Sequence, residues 1–292
     1  MPHVVVAGPA SWNTIVRVPA LPTAAGMSMA SGYEDTLGGT SAGKALTLAR
    51  LGVHVTLRTA LGDDDAAGHI RAALTHPRLT VTAARGNGPS ERHLNLMTPD
   101  GARASIYLHL PPDPGPVPRE VADAVARADV VVADLADHAR AVLRLARAAD
   151  VPLWCDVHDW DGVADFHREF VEAADVLVVS GDRLADPRAL LAGRVAAGAR
   201  WAVCTLGARG AVGLGRTEGW VEAPAFPVER VLDTNGAGDA FVAGLLLGHL
   251  EGRELAGAMR LGAAAGALAV ASPGLVSDAD ATAVHRLADQ PS

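Results

Sequence analysis

Nine consecutive residues, Asp233, Thr234, Asn235, Gly236, Ala237, Gly238, Asp239, Ala240 and Phe241, carry the densest chemistry in this sequence. They end an extended segment and open an apolar helix. Small residues at a helix start leave backbone N–H groups uncovered, and the positive end of the helix dipole favours an anion there. Asp239 falls in the first turn, with its carboxylate aimed near the same point. An anion cradle beside a carboxylate is what phosphoryl transfer to a hydroxyl requires, because the donor is held in line while the acceptor loses its proton. The bland alternative is an Asp that only caps a helix and glycines that only ease packing. That alternative suits an isolated Gly-Ala-Gly-Asp; nine residues in this order favour function.

A second glycine-rich stretch competes for the same chemistry. Residues 38 to 45 read G-G-T-S-A-G-K-A, close to a P-loop, but Ala45 has no hydroxyl for magnesium. The preceding GYEDTL is also not the buried apolar strand a P-loop follows, so the P-loop reading is disfavoured. Lys44 then either faces the substrate or solvates a helix end. His158 and Asp159 follow a strand end where open α/β sheets place ligands, but no further ligands stand at metal spacing, so surface or supporting roles are expected. Asp134 and Asp137 also follow a strand end, and solvated loop carboxylates are the expectation for both.

The elements that must position these residues follow a repeating pattern. Short β-branched runs at residues 3–8, 53–60, 129–135, 151–157, 175–180 and 201–207 mostly precede alanine-rich stretches with helical spacing. This predicts βαβ units, an α/β fold and a mostly parallel sheet covered on both faces. Residues 13–37 and 88–112 break the rhythm; in the second, ERHLNLM and ARASIYLHL flank TPDG as in a β-hairpin. Together they predict a small β flap on a single domain spanning 1–292. PPDPGPVP (111–118) reads as a rigid return to the main sheet. The C-terminal part predicts helices over 237–250 and 254–272, the second stopped by Pro273 and Gly274, with Gly and Ala permitting close approach.

Composition bounds the partners. The chain has 292 residues, 49% of them apolar, enough for a sizeable core. A formal net charge of −8 without Lys/Arg runs argues against nucleic acid or an anionic membrane as partner, and the five scattered tryptophans form no stacking platform. Cys155 and Cys204 lie in apolar runs and read as reduced core thiols. No stretch approaches a membrane span and the start lacks a basic leader, so a cytoplasmic location is expected.

The stretch 233–241 resembles the C-terminal signature D-T-x-G-A-G-D-x-F of the ribokinase-like (PfkB) carbohydrate and nucleoside kinases, with every fixed position present. The resemblance implies a three-layer α/β/α core with a β lid, ATP and Mg2+ as cofactors, and Asp239 as catalytic base. It implies that Gly236, Ala237 and Gly238 form an anion hole, and that Asp233 with Asn235 adjoins a monovalent-cation (K+) site. GGTSAGKALTLARLG (38–52) is similar to the family's glycine-pair segment, which would set Gly38 and Gly39 against the acceptor. TLGARG (205–210) is similar to its nucleotide turn, making Thr205, Gly207 and Gly210 nucleotide contacts, with an adenine pocket completed around Ala271 to Gly274. Departures accompany the matches. The early sugar-contacting Asp falls on Asn13, and the usual Asn of the glycine-pair segment falls on Gly43, followed by Lys44. The N-x-x-E element falls on Ser180, Gly181, Asp182 and Arg183, so Asp182 supplies the carboxylate one position early and Arg183 contacts phosphate, or the magnesium arrangement is degraded. The implied function is phosphorylation of a primary hydroxyl of a sugar or sugar-like molecule. A nucleoside kinase of the adenosine or cytidine type, and a catalytically weak binding protein of the same fold, are the alternatives. Lid strands pairing between subunits make a homodimer the expected assembly.

Overall fold

Alternating burial along apolar strands builds two cores from one sheet. In β1 (His3–Ala7), Val4 and Val6 face one helical layer while Val5 and Ala7 face the other, as the two-residue side-chain period of a strand dictates. The computed structural model describes residues 1–23, 27–86, 88–99, 102–111 and 115–290. The main sheet joins β1 to β4 (His54–Leu61), β5 (Leu79–Arg85), β8 (Val130–Ala133), β9 (Leu153–Val157), β10 (Val176–Ser180), β11 (Trp201–Thr205), β12 (Ala211–Gly215) and β13 (Gly219–Ala223). Their order is β13-β12-β11-β10-β9-β8-β1-β4-β5. Every pair from β11 to β5 is parallel, and β12 and β13 extend the sheet antiparallel.

One face carries α1 (Thr40–Arg50), α2 (Asp65–Ala73), α7 (Ala237–Leu250), α8 (Leu255–Val270) and α9 (Ala281–Ala288). The other carries α3 (Arg119–Ala126), α4 (Ala139–Ala148), α5 (Asp165–Ala173) and α6 (Pro187–Ala196). The three-layer α/β architecture expected from sequence is therefore the one found. Cys155 and Cys204 are buried free thiols in β9 and β11, and burial pushes the Cys204 thiol up to about 11, so it stays protonated.

A second sheet of order β3-β2-β6-β7 comprises β2 (Ser11–Arg17), β3 (Gly32–Gly38), β6 (Arg92–Met97) and β7 (Arg103–His109). β2 starts at Ser11, two residues before the flap segment read from sequence, because the chain passes from β1 to β2 with only Gly8, Pro9 and Ala10 between them. β6 and β7 pair antiparallel, with Met97 opposite Arg103. Asp100 and Gly101 of the expected TPDG turn lie outside the described residues, as do 112–114 of the proline-rich return and the end of the expected 88–112 flap segment. No helix among the described residues is long and apolar enough to cross a membrane.

Candidate active site

The turn before α7 is shaped by one left-handed residue. Gly236 caps the helix at φ 75°, and a Cβ there would collide with the carbonyl oxygen of Leu275, so only glycine fits without displacing backbone. Ala237, Gly238 and Asp239 are the first three helical residues, whose N–H groups have no intrahelical acceptor. Gly238 is exposed, with nothing within 4 Å of where its Cβ would be. The cradle therefore opens outward rather than into the core. Before it, Asp233 is buried, and its Oδ1 accepts from the Asn235 N–H at 2.8 Å.

Asp239 belongs to a buried ionic cluster centred on Lys44. Lys44, on α1, is fully buried, and its Nζ lies 2.9 Å from Asp239 Oδ1, 2.9 Å from Asp156 Oδ2 and 3.2 Å from Asp134 Oδ1. It also donates to Thr40 Oγ1 at 3.1 Å. The expectation that Lys44 solvates a helix end is corrected: it is fully buried and its ammonium meets carboxylates, that of Asp239 among them. Burial alone would lower the Lys44 ammonium, but the three carboxylates outweigh it and hold its pKa well above the usual lysine value. Burial pushes the Asp239 carboxyl up to about 6, against the opposing pull of Lys44.

Strand periodicity explains how the other two carboxylates arrive. Asp156 alternates with Trp154 in β9, and Asp134 follows Val130 and Val132 of β8 by the same two-residue step, so both point to the layer of α1 and α7. The expectation that Asp134 is a solvated loop carboxylate is corrected: it is fully buried, and Ser41 Oγ donates to its Oδ2 at 2.6 Å. Asp137 is the exposed one, paired with Arg140. Sequence reasoning missed Asp156 altogether. A carboxylate inside the apolar strand LWCDV was the available signal, since a buried charge demands a partner.

The glycines of 38–43 make room for these contacts. Asn13 lies where a Cβ on Gly38 would be, and Asn13 Oδ1 accepts from the His93 N–H at 3.2 Å. Gly39, at φ 92°, turns the chain past Pro9 into α1. At Gly43 a Cβ would stand 2.8 Å from Asp239 Oδ2, so only glycine lets α1 pass the carboxylate without displacing it. Asn13, Gly38, Gly39, Gly43 and Lys44 thus gather between the small sheet and the start of α7.

The nucleotide residues expected from sequence lie along the carboxyl edge of the main sheet. Thr205 ends β11, Gly207 opens a short 3-10 turn, and Gly210, at φ 89°, fits where a Cβ would strike the Ala223 carbonyl. Gly274, at φ 79°, follows the end of α8 with open space beside it. Ser180 ends β10 and accepts from the Asp182 N–H at 3.3 Å; Asp182 is exposed. The exposed Arg183 donates to the Asp159 carbonyl at 3.3 Å, and Asp159 in turn engages His167 Nε2 at 2.9 Å.

A family model described as pfkB family carbohydrate kinase matches residues 1–282. The chain is 34% identical over 277 residues to the acarbose 7(IV)-phosphotransferase of an Actinoplanes strain, covering 92% of each protein. It is 30% identical over 293 residues to the ATP-dependent ribose-1-phosphate kinase of Halopiger xanaduensis, with 97% of each covered. Among solved structures it is similar to a microbiome-derived acarbose kinase, at TM-score 0.86 and 31% identity over 99% of both chains. It shares the fold of Arabidopsis thaliana ribokinase complexed with ribose and ATP, at TM-score 0.81 and 22% identity over 99% of both chains.

Proposed function

The chain belongs to the PfkB family of carbohydrate kinases, ATP-dependent sugar phosphorylation is its chemistry, and we propose that Asp239 takes the proton from the acceptor hydroxyl while the start of α7 holds the transferring phosphoryl group. The observation that carries this reading is the placement of a carboxylate with a pKa pushed to about 6 within the first turn of a helix that leaves Gly238 exposed. In the step itself the acceptor O–H proton passes to Asp239, the acceptor oxygen bonds to the γ-phosphorus, and the bond to the β-phosphate oxygen breaks, with ADP keeping its electron pair. The N–H groups of Gly236, Ala237 and Gly238 receive the charge of the phosphoryl oxygens. The small sheet lies over the acceptor side, where Asn13, Gly38 and Gly39 position the sugar and water is kept out.

Thr205, Gly207, Gly210 and Gly274 line the path of the nucleotide along the sheet edge. Magnesium takes one or two carboxylates, phosphate oxygens and waters, and the exposed Asp182 suits that role; bound there, the ion would neutralise phosphate charge. Asp233 is 4% exposed and forms no ion pair among the described residues, and a buried carboxylate without a counter-charge suits a cation such as K+. The acceptor presents a primary hydroxyl, and relatives named for acarbose make that compound the first to test, with ribose 1-phosphate and free sugars alongside. A homodimer through the small sheet is part of the same reading.

The decisive measurement is ADP release by the purified chain with ATP, magnesium and this acceptor panel, wild type against Asp239→Asn. Loss of a general base lowers turnover by about 10² to 10⁴-fold, while ATP affinity holds within about threefold. Full activity in Asp239→Asn sinks the assignment.

A further inference from the structure

Lys44 is a fully buried cation at a helix position where the sequence supplies no obvious need for one, and its ammonium touches three carboxylates from three separate elements. Two of them, Asp134 and Asp156, sit at the ends of β8 and β9 and point up from the sheet; the third is Asp239. The contact to Asp239 is made to Oδ1, while Oδ2 lies against the bare Cα of Gly43. The two carboxylate oxygens are therefore unequal: one is held by a cation, the other packs against Gly43, where any side chain would press on it. Gly43 and Lys44 are adjacent, so one step of helix supplies both the close approach to Oδ2 and the clamp on Oδ1.

We propose that Lys44, itself anchored by Asp134 and Asp156, is a positioning residue that occupies Oδ1 of Asp239, fixes the carboxylate's orientation, and leaves Oδ2 as the oxygen that meets the acceptor hydroxyl. The proposal rests on the reading of Asp239 as base. It also accounts for two carboxylates that the phosphoryl-transfer step does not otherwise use. Three carboxylates in one dry pocket cannot all stay ionised without a cation, because like charges at this range favour protonation. The ammonium keeps Asp239 free to accept a proton at neutral pH. The remaining negative charge of Asp134 and Asp156, with burial, keeps it more basic than a solvated carboxylate.

The groups facing Asp239 are Lys44 from α1, Asp134 beyond β8 and Asp156 from β9. On α8, which packs along α7, Arg260 turns away and donates to the carbonyls of Ala288 and Gln290. The signs of two substitutions therefore differ. Removing the Lys44 charge takes away the force that lowers the Asp239 pKa, so the pKa rises; removing the Asp156 charge takes away a force that raises it, so the pKa falls.

The test is a ¹³C titration of the full-length protein labelled at aspartate carboxyl carbons, with the Asp239 resonance assigned by its loss in Asp239→Asn. The wild-type midpoint is expected at about 6. In Lys44→Met it should move up by about one unit or more, and in Asp156→Asn it should move down. A residue that served only to fill space would not shift the two in opposite directions. A midpoint that stays within about 0.3 unit of wild type in either folded variant overturns the proposal; if Lys44→Met does not fold, Asp156→Asn alone decides. The titration needs no acceptor, so it fails independently of the kinase reading: absent ADP release retires that reading, an unmoved midpoint retires this one.

Discussion

At Gly43 the stability of a helix and the placement of the proposed base make opposite demands. The residue lies inside α1, where alanine would be favoured over glycine by about 1 kcal/mol. A methyl group there would also stand 2.8 Å from Asp239 Oδ2 and 3.2 Å from its Cβ. The carboxylate must shift to admit it, and displacement of a reacting group by a few tenths of an ångström is felt in turnover. Gly43→Ala is accordingly expected to keep or raise the melting temperature while lowering kcat at least about tenfold. Calorimetry and ADP release on one preparation check both halves; an unchanged kcat would show that Oδ2 is not the oxygen that matters.

The element that decides the site is the junction of α7 and α8. Gly244 and Gly248 of α7 lie so near α8 that a Cβ on Gly244 would meet the Leu261 carbonyl oxygen at 2.5 Å, and one on Gly248 would meet the Ala258 Cα at 2.6 Å. That close packing brings the end of α8 and Leu275 against the turn at Gly236, so the proposed phosphate cradle and the helix pair are one construction. Gly236→Ala would combine a strained φ of 75° with a clash on backbone, which cannot swing away as a side chain would. We expect a loss of about 1–3 kcal/mol of stability, measured by urea unfolding, together with weaker ATP binding by calorimetry. Native-like ATP affinity in a folded Gly236→Ala would separate the cradle from the turn.

At the scale of the whole molecule, β7 pairs with β6 on one side and its other edge has no partner strand among the described residues. β7 exposes Ile106, Tyr107 and Leu108 on its two faces, and Tyr33 of β3 is exposed at the opposite edge. Edge strands with exposed apolar side chains are templates for pairing, which is the physical basis for the proposed homodimer. Sedimentation velocity should give a dimer for the wild type and a shift to monomer for Leu108→Asp, with the main domain still folded by circular dichroism. A wild-type chain that sediments as monomer throughout removes the dimer from the reading.

Periodicity and local chemistry were enough to read the α/β class, the parallel sheet and the glycine-rich turn into α7, because each depends on neighbours within one element. Asp239 was legible for the same reason: helix start, small residues and carboxylate are contiguous. The cluster of Lys44 with Asp134 and Asp156 was not, since the two carboxylates stand 90 and 112 residues from Lys44 along the chain and meet it only when α1 packs over the carboxyl ends of β8 and β9. By itself the sequence pointed to the turn at 236–238 as the proposed phosphate cradle and to Asp239 as the acid proposed to take a proton. Only the tertiary structure decided how that acid is charged and aimed, because the energy of a buried ion depends on counter-charges brought through space by other elements.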